Sequence, residues 1–98
     1  MDARTLYDEG CRHLSNALGN TQYTKVHSSD IMDSIVNEYF MPAAQGGYPL
    51  AIYEMVKYSL SKSEKSEAIS WMRNYKEVTK CSKTELLLKF GWQFVFHL

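Results

Sequence analysis

The chain has 98 residues, 45% of them hydrophobic, with 11 basic and 11 acidic side chains and no formal net charge. That length predicts a single domain over residues 1–98 with a modest core, and so much apolar material excludes a disordered tail as the main state. No apolar run approaches the roughly twenty residues of a membrane span, Cys11 and Cys81 are too few for a disulfide framework, and residues 1–5 lack the basic and apolar regions of a secretory signal, so the expected setting is a reducing cytoplasm with no membrane partner.

Residues 4–18 read as a first helix, with Tyr7, Cys11, Leu14 and Leu18 on one stripe and Leu6, Gly10 and Ala17 beside it. Gly10 weakens the helix or lets a neighbour approach closely. Gly19 is placed for a left-handed cap. Residues 20–28 are polar and read as a loop, with at most a short strand over 22–26. The second helix is capped by Ser28 or Ser29 and carries Asp30 and Asp33 in its first turn, where carboxylates meet the helix dipole favourably. Ile31, Met32, Ile35, Val36, Tyr39 and Phe40 form its apolar face. Pro42 disfavours a helical Met41 and predicts the end of this helix.

A loop follows, with Gly46 and Gly47 at its most flexible point. The third helix begins at Tyr48 or Pro49, with proline in the first turn. Its inner stripe is Ile52, Met55, Val56 and Leu60, widened by Tyr53 and Tyr58, and so broad an apolar surface predicts a central helix. The polar stretch 59–66 breaks the pattern, and Ser61 or Ser63 is the expected cap of a fourth helix running to about Lys80. Ala68, Ile69, Met72, Tyr75 and Val78 or Thr79 form its inner face.

Residues 82–98 give two conflicting signals. Ser82 and Glu85 fit a capping box, and Leu86, Leu87, Phe90 and Phe94 fall on one helical face. Yet Phe90, Trp92, Phe94, Phe96 and Leu98 alternate like a strand. The helix from Ser82 is the expectation, with the last residues extended as the alternative. The predicted fold is mainly α: a small bundle of four to five helices, with the C-terminal aromatics sealing the core. A two-stranded element joining 22–26 to the C-terminus is the fallback.

No stretch carries the signature of an enzyme or of a known binding module. Cys11, His13, His27, Cys81 and His97 lack the close pairing of zinc ligands, and Cys11 and His13, two apart, do not share a helix face. No metal or other cofactor is expected. No nucleophile elbow is present, and Asp30 and Asp33 are explained by the dipole they meet. No catalytic residue is assigned, and no enzyme is expected.

Charge is unevenly spread. Residues 1–50 carry Arg4, Arg12 and Lys25 against Asp2, Asp8, Glu9, Asp30, Asp33 and Glu38, so the basic surplus lies in the second half. Arg73, Lys76 and Lys80 recur at helical spacing on the fourth helix, Lys83 follows, and Trp71 and Tyr75 sit nearby. These six are the candidate partner-binding residues. Arg73 and Glu77 are spaced to pair on the same helix. The expectation is a small non-enzymatic protein that binds another protein, with an acidic surface, and modulates it. Inhibition is the expected mode, of the sort phages and mobile elements direct at a host enzyme or defence complex. Self-association would also hide the apolar surplus. The alternative is a nucleic-acid-binding regulator using the same basic face.

Overall fold

The computed structural model describes residues 2–18 and 30–98. The expected Gly19 cap, the loop or strand over 20–28, the Ser28 or Ser29 cap and His27 lie outside the described residues. The fold is mainly α, with five helices and no strand among the described residues. They are α1 (Ala3–Leu18), α2 (30–45), α3 (Pro49–Ser61), α4 (Lys65–Thr79) and α5 (Lys83–Phe90). A short 3-10 turn, Trp92–Phe94, follows α5.

Helices adjacent in sequence pack on each other: α1 on α2, α2 on α3, α3 on α4, α4 on α5. The molecule is therefore elongated, 41 × 29 × 18 Å. Two core clusters meet along α3. One gathers Ile35, Val36 and Phe40 of α2 with Ala51, Ile52 and Met55. The other gathers Val56 with Ala68, Met72, Leu87 and Phe94. The central place expected for α3 follows from this: among the described residues, it is the helix that gives fully buried side chains to both.

Pro42 does not end α2. The helix passes through it by widening into a π turn over Val36–Phe40, where the amide of Met41 donates to the Val36 carbonyl five residues back. A regular α turn would press the proline ring on the carbonyl four residues earlier, and one extra residue in the turn relieves that clash. Pro42 then stands in the first turn of the α-helical segment Met41–Gln45, where its missing donor costs little. The helix stops at Gly46 and Gly47, whose φ is +86°.

Gly10 marks the crossing of α1 and α2. A Cβ there would stand 2.7 Å from a ring carbon of Phe40 and 2.8 Å from the Cβ of Tyr39. The glycine lets the backbones approach, and Tyr7 then packs against Phe40 and Tyr48, at ring-centroid separations of 5.5 and 5.2 Å. Burial pushes the Tyr7 phenol well above its ordinary pKa.

Along α3, Ile52, Met55 and Val56 are buried as expected, but the stripe ends on Ser59 and leaves Leu60 exposed. The α3–α4 turn explains the exchange. The Glu64 amide donates to the Ser59 carbonyl at 2.9 Å, so the chain folds back over Ser59. Neither expected serine caps α4: Ser61 donates its hydroxyl to the Tyr58 carbonyl, Ser63 holds a left-handed φ of 60°, and Glu64 occupies the cap position. On α4, Ala68, Ile69 and Met72 are buried, Tyr75 and Thr79 are half-buried, and Val78 is exposed.

The C-terminal segment resolves toward the helix. Ser82 Oγ accepts from the Glu85 amide at 3.1 Å, the forward half of the expected capping box. Leu86, Leu87 and Phe94 are buried and Phe90 is half-buried, so the helical stripe is correct. The sealing role assigned to all the terminal aromatics is not. Trp92 is 57% exposed and Phe96 is 94% exposed. Gly91, at φ 121°, ends the helix after Phe90. The 3-10 turn that follows sends Phe94 into the second cluster, with Val95 and Leu98 packed beside it and Trp92 and Phe96 outward.

Candidate functional site

The six expected partner-binding residues do not form one surface. At about 100° per residue, Ala68, Ile69 and Met72 define the buried stripe of α4. Trp71 and Tyr75 lie on one flank of that stripe, both packed in part against the first core cluster. Arg73 and Lys80 lie on the other flank, with Lys76 half-buried near it. Lys80 takes the left-handed position that ends α4, and Lys83 is exposed at the start of α5. Aromatic and basic members of the set are therefore separated by the core itself.

Arg73 is engaged in an unexpected way. Its Nε and Nη2 donate to the His97 carbonyl at 3.2 and 2.8 Å, in place of the expected pairing with Glu77. This fork ties the end of the chain to α4 and holds the backbone next to Phe96.

Two other surfaces emerge. The first is apolar: Leu88, 68% exposed, with Trp92 and Phe96 beyond it in the chain. These three are spaced by four in the sequence, although the helix ends at Gly91, between Leu88 and Trp92. That spacing was available in the sequence, but the alternation of the same aromatics overlaid it.

The second joins rings and cations from three helices. The Lys89 Nζ stands 4.8 Å from the ring centroid of Tyr53 and 5.5 Å from that of Tyr75. Phe90 closes the arrangement, 5.5 Å from Tyr53 and edge-on to Tyr75 at 5.4 Å. Lys57 Nζ also approaches Tyr53, at 5.1 Å, and is paired with Glu54 at 3.1 Å. An open groove of about 400 Å³ adjoins, lined by Tyr75, Cys81, Glu85, Leu88 and Lys89. Tyr75 is the only residue of the expected six in it. Tyr53, Lys57, Lys89 and Phe90 were missed because no spacing in the sequence joins α3 to α5.

Several other polar groups have local partners. Asp33 accepts from the Tyr58 hydroxyl at 2.6 Å and pairs with Lys62 at 3.1 Å, bonding α2 to the end of α3. The phenol donor, then the lysine, holds the Asp33 carboxyl below its usual range, and the same bond pushes Tyr58 up to about 12. His13 stacks on Tyr39 with 5.0 Å between ring centroids, while Cys11 packs toward the core. Among the described residues, no three of His, Cys, Asp and Glu gather where they could hold a metal ion. No described helix is long and apolar enough to cross a membrane.

Compared with family models, curated proteins and solved structures, the chain matches none.

Proposed function

We propose that this protein acts by binding another protein through its C-terminal segment, with no catalysis of its own. The observation that carries this reading is that, among the described residues, Trp92 and Phe96 are the aromatic side chains left exposed, while Phe40 and Phe94 are fully buried. Burying such a side chain contributes about 1.5–3 kcal/mol, and a few aromatic anchors supply most of the affinity in protein interfaces. The Arg73 fork to His97 holds one anchor in place before binding, so less freedom is lost on association. The basic surplus of α4 and α5, with Lys80 and Lys83 exposed, suits a partner with an acidic surface.

Docking of this kind changes the partner's activity, and inhibition is the expected mode. The setting proposed is the cytoplasm, in the role of the small accessory proteins that phages use against host enzymes. The alternative, a nucleic-acid regulator, would have to use Arg73, Lys76, Lys80 and Lys83 without the stacking of Trp71 and Tyr75 beside them. Binding to a generic duplex that falls steeply with salt would favour it.

The test uses two baits, the natural chain and the double variant Trp92→Ser with Phe96→Ser, each shown to be helical by circular dichroism. A partner held by the first and lost at least tenfold by the second supports the reading. A partner held equally by both, or a dimer of the chain itself that the double variant dissociates, overturns it.

A further inference from the structure

We infer that Tyr53, Tyr75 and Phe90 form a box for an organic ammonium ion, which the chain fills with its own Lys89. The rings come from α3, α4 and α5, and two of them present themselves to one ammonium at 4.8 and 5.5 Å. Phe90 packs against both rings, tilted on Tyr53 at 5.5 Å and edge-on to Tyr75 at 5.4 Å, and so braces the two walls. Ring faces attract cations through their quadrupole, and weakly hydrated alkylammonium ions gain most because they give up little hydration. Lys89 is exposed and sits on a flexible four-carbon stem, so its head can leave the box without disturbing the fold.

What remains when it leaves is a cation site in its own right. The adjoining groove carries Glu85 as its one carboxylate, with Tyr75 and the methyl groups of Leu88 beside it. Lys57, the other ammonium near Tyr53, is neutralised by Glu54 at 3.1 Å. The ligand class is a methylated ammonium, either a free choline-like molecule or a methylated lysine side chain on a peptide. Lys89 acts as a tethered competitor that lowers the affinity for either. This inference is independent of the Trp92 and Phe96 surface.

The experiment titrates the natural chain and Lys89→Ala with choline, with 3,3-dimethyl-1-butanol as its neutral isostere, and with a trimethyl-lysine peptide. Nuclear magnetic resonance shifts of the tyrosine rings are the readout. Emptying the box should tighten choline or the methylated peptide by about three- to sixfold, the effect of removing an internal competitor held by an exposed cation–π contact. The neutral isostere should give no saturable shift, and adding Tyr53→Leu should abolish binding. Binding by the peptide alone assigns the box to a protein-borne ligand, and binding by choline assigns it to a free one. Absence of saturable shifts with both in Lys89→Ala, confirmed with Lys89→Gln, overturns the inference. Equal response to the neutral isostere also overturns it, because an apolar groove would then suffice.

Discussion

Phe94 and Phe96 are the same residue type two positions apart, and the structure assigns them opposite roles. Phe94 is 1% exposed inside the second core cluster, whereas Phe96 is 94% exposed. Truncating a buried phenylalanine removes its transfer energy and leaves a cavity, at a cost of about 3–5 kcal/mol. Truncating an exposed one changes stability by less than about 0.5 kcal/mol. For a domain of this size, 1 kcal/mol moves the melting temperature by about 4–8 °C. Phe94→Ala should therefore melt at least about 12 °C below the natural chain, and Phe96→Ala within a few degrees of it. Because total stability is of order 5–15 kcal/mol, a urea titration followed by circular dichroism should still find a folded baseline for Phe94→Ala. Equal destabilisation by the two variants would refute the reasoning. The terminal aromatics would then all be structural, and no anchor would be left over for a partner.

Two further predictions concern the joints between helices. Gly10→Ala should destabilise by about 1–3 kcal/mol, because a Cβ 2.7 Å from Phe40 forces α1 and α2 apart, and this outweighs the roughly 1 kcal/mol that alanine gains in a helix; a higher urea midpoint for the variant would show that the helices do not meet there. The Asp33–Tyr58 bond should give stability two pH limits. Asp33 has a lowered folded pKa, so its contribution is present above the ordinary carboxyl value of 3.8 and is lost as pH falls through the folded value. Tyr58 has a raised one, so its contribution is full below about 10 and is lost as pH rises through about 12. Tyr58→Phe should remove the alkaline limit and weaken the acid one, and an unchanged pH profile of the urea midpoint would contradict the bond.

How much of this was legible depended on how local the cause was. The stripe Ile52, Met55, Val56, the burial of Ala68, Ile69 and Met72, and the Ser82 cap all follow from spacings within one turn or two, and the structure carries each of them. The errors share a different origin. The local preference of Pro42 predicts a stop, but packing of Val36 and Phe40 into the first cluster favours continuing the helix, and a π turn lets both hold. Leu60 was read from its period, but the Ser59 carbonyl is needed to close the turn to Glu64, so the buried position falls on the serine.

The candidate surfaces were less legible for a related reason. Residues on one helix can share a face, yet a face becomes a surface only where the neighbouring helices leave it uncovered. On α4 the core runs between Trp71 and Tyr75 on one flank and Arg73 and Lys80 on the other, so the spacing of three and four that groups the basic residues holds, but it does not bring the aromatic rings to the same surface. The Lys89 box is the converse case. Only the order in which α3, α4 and α5 pack brings Tyr53 and Tyr75 to one ammonium, with Phe90 braced against both. In a bundle whose helices contact mainly their neighbours in sequence, a site of this kind needs three consecutive helices to be docked correctly.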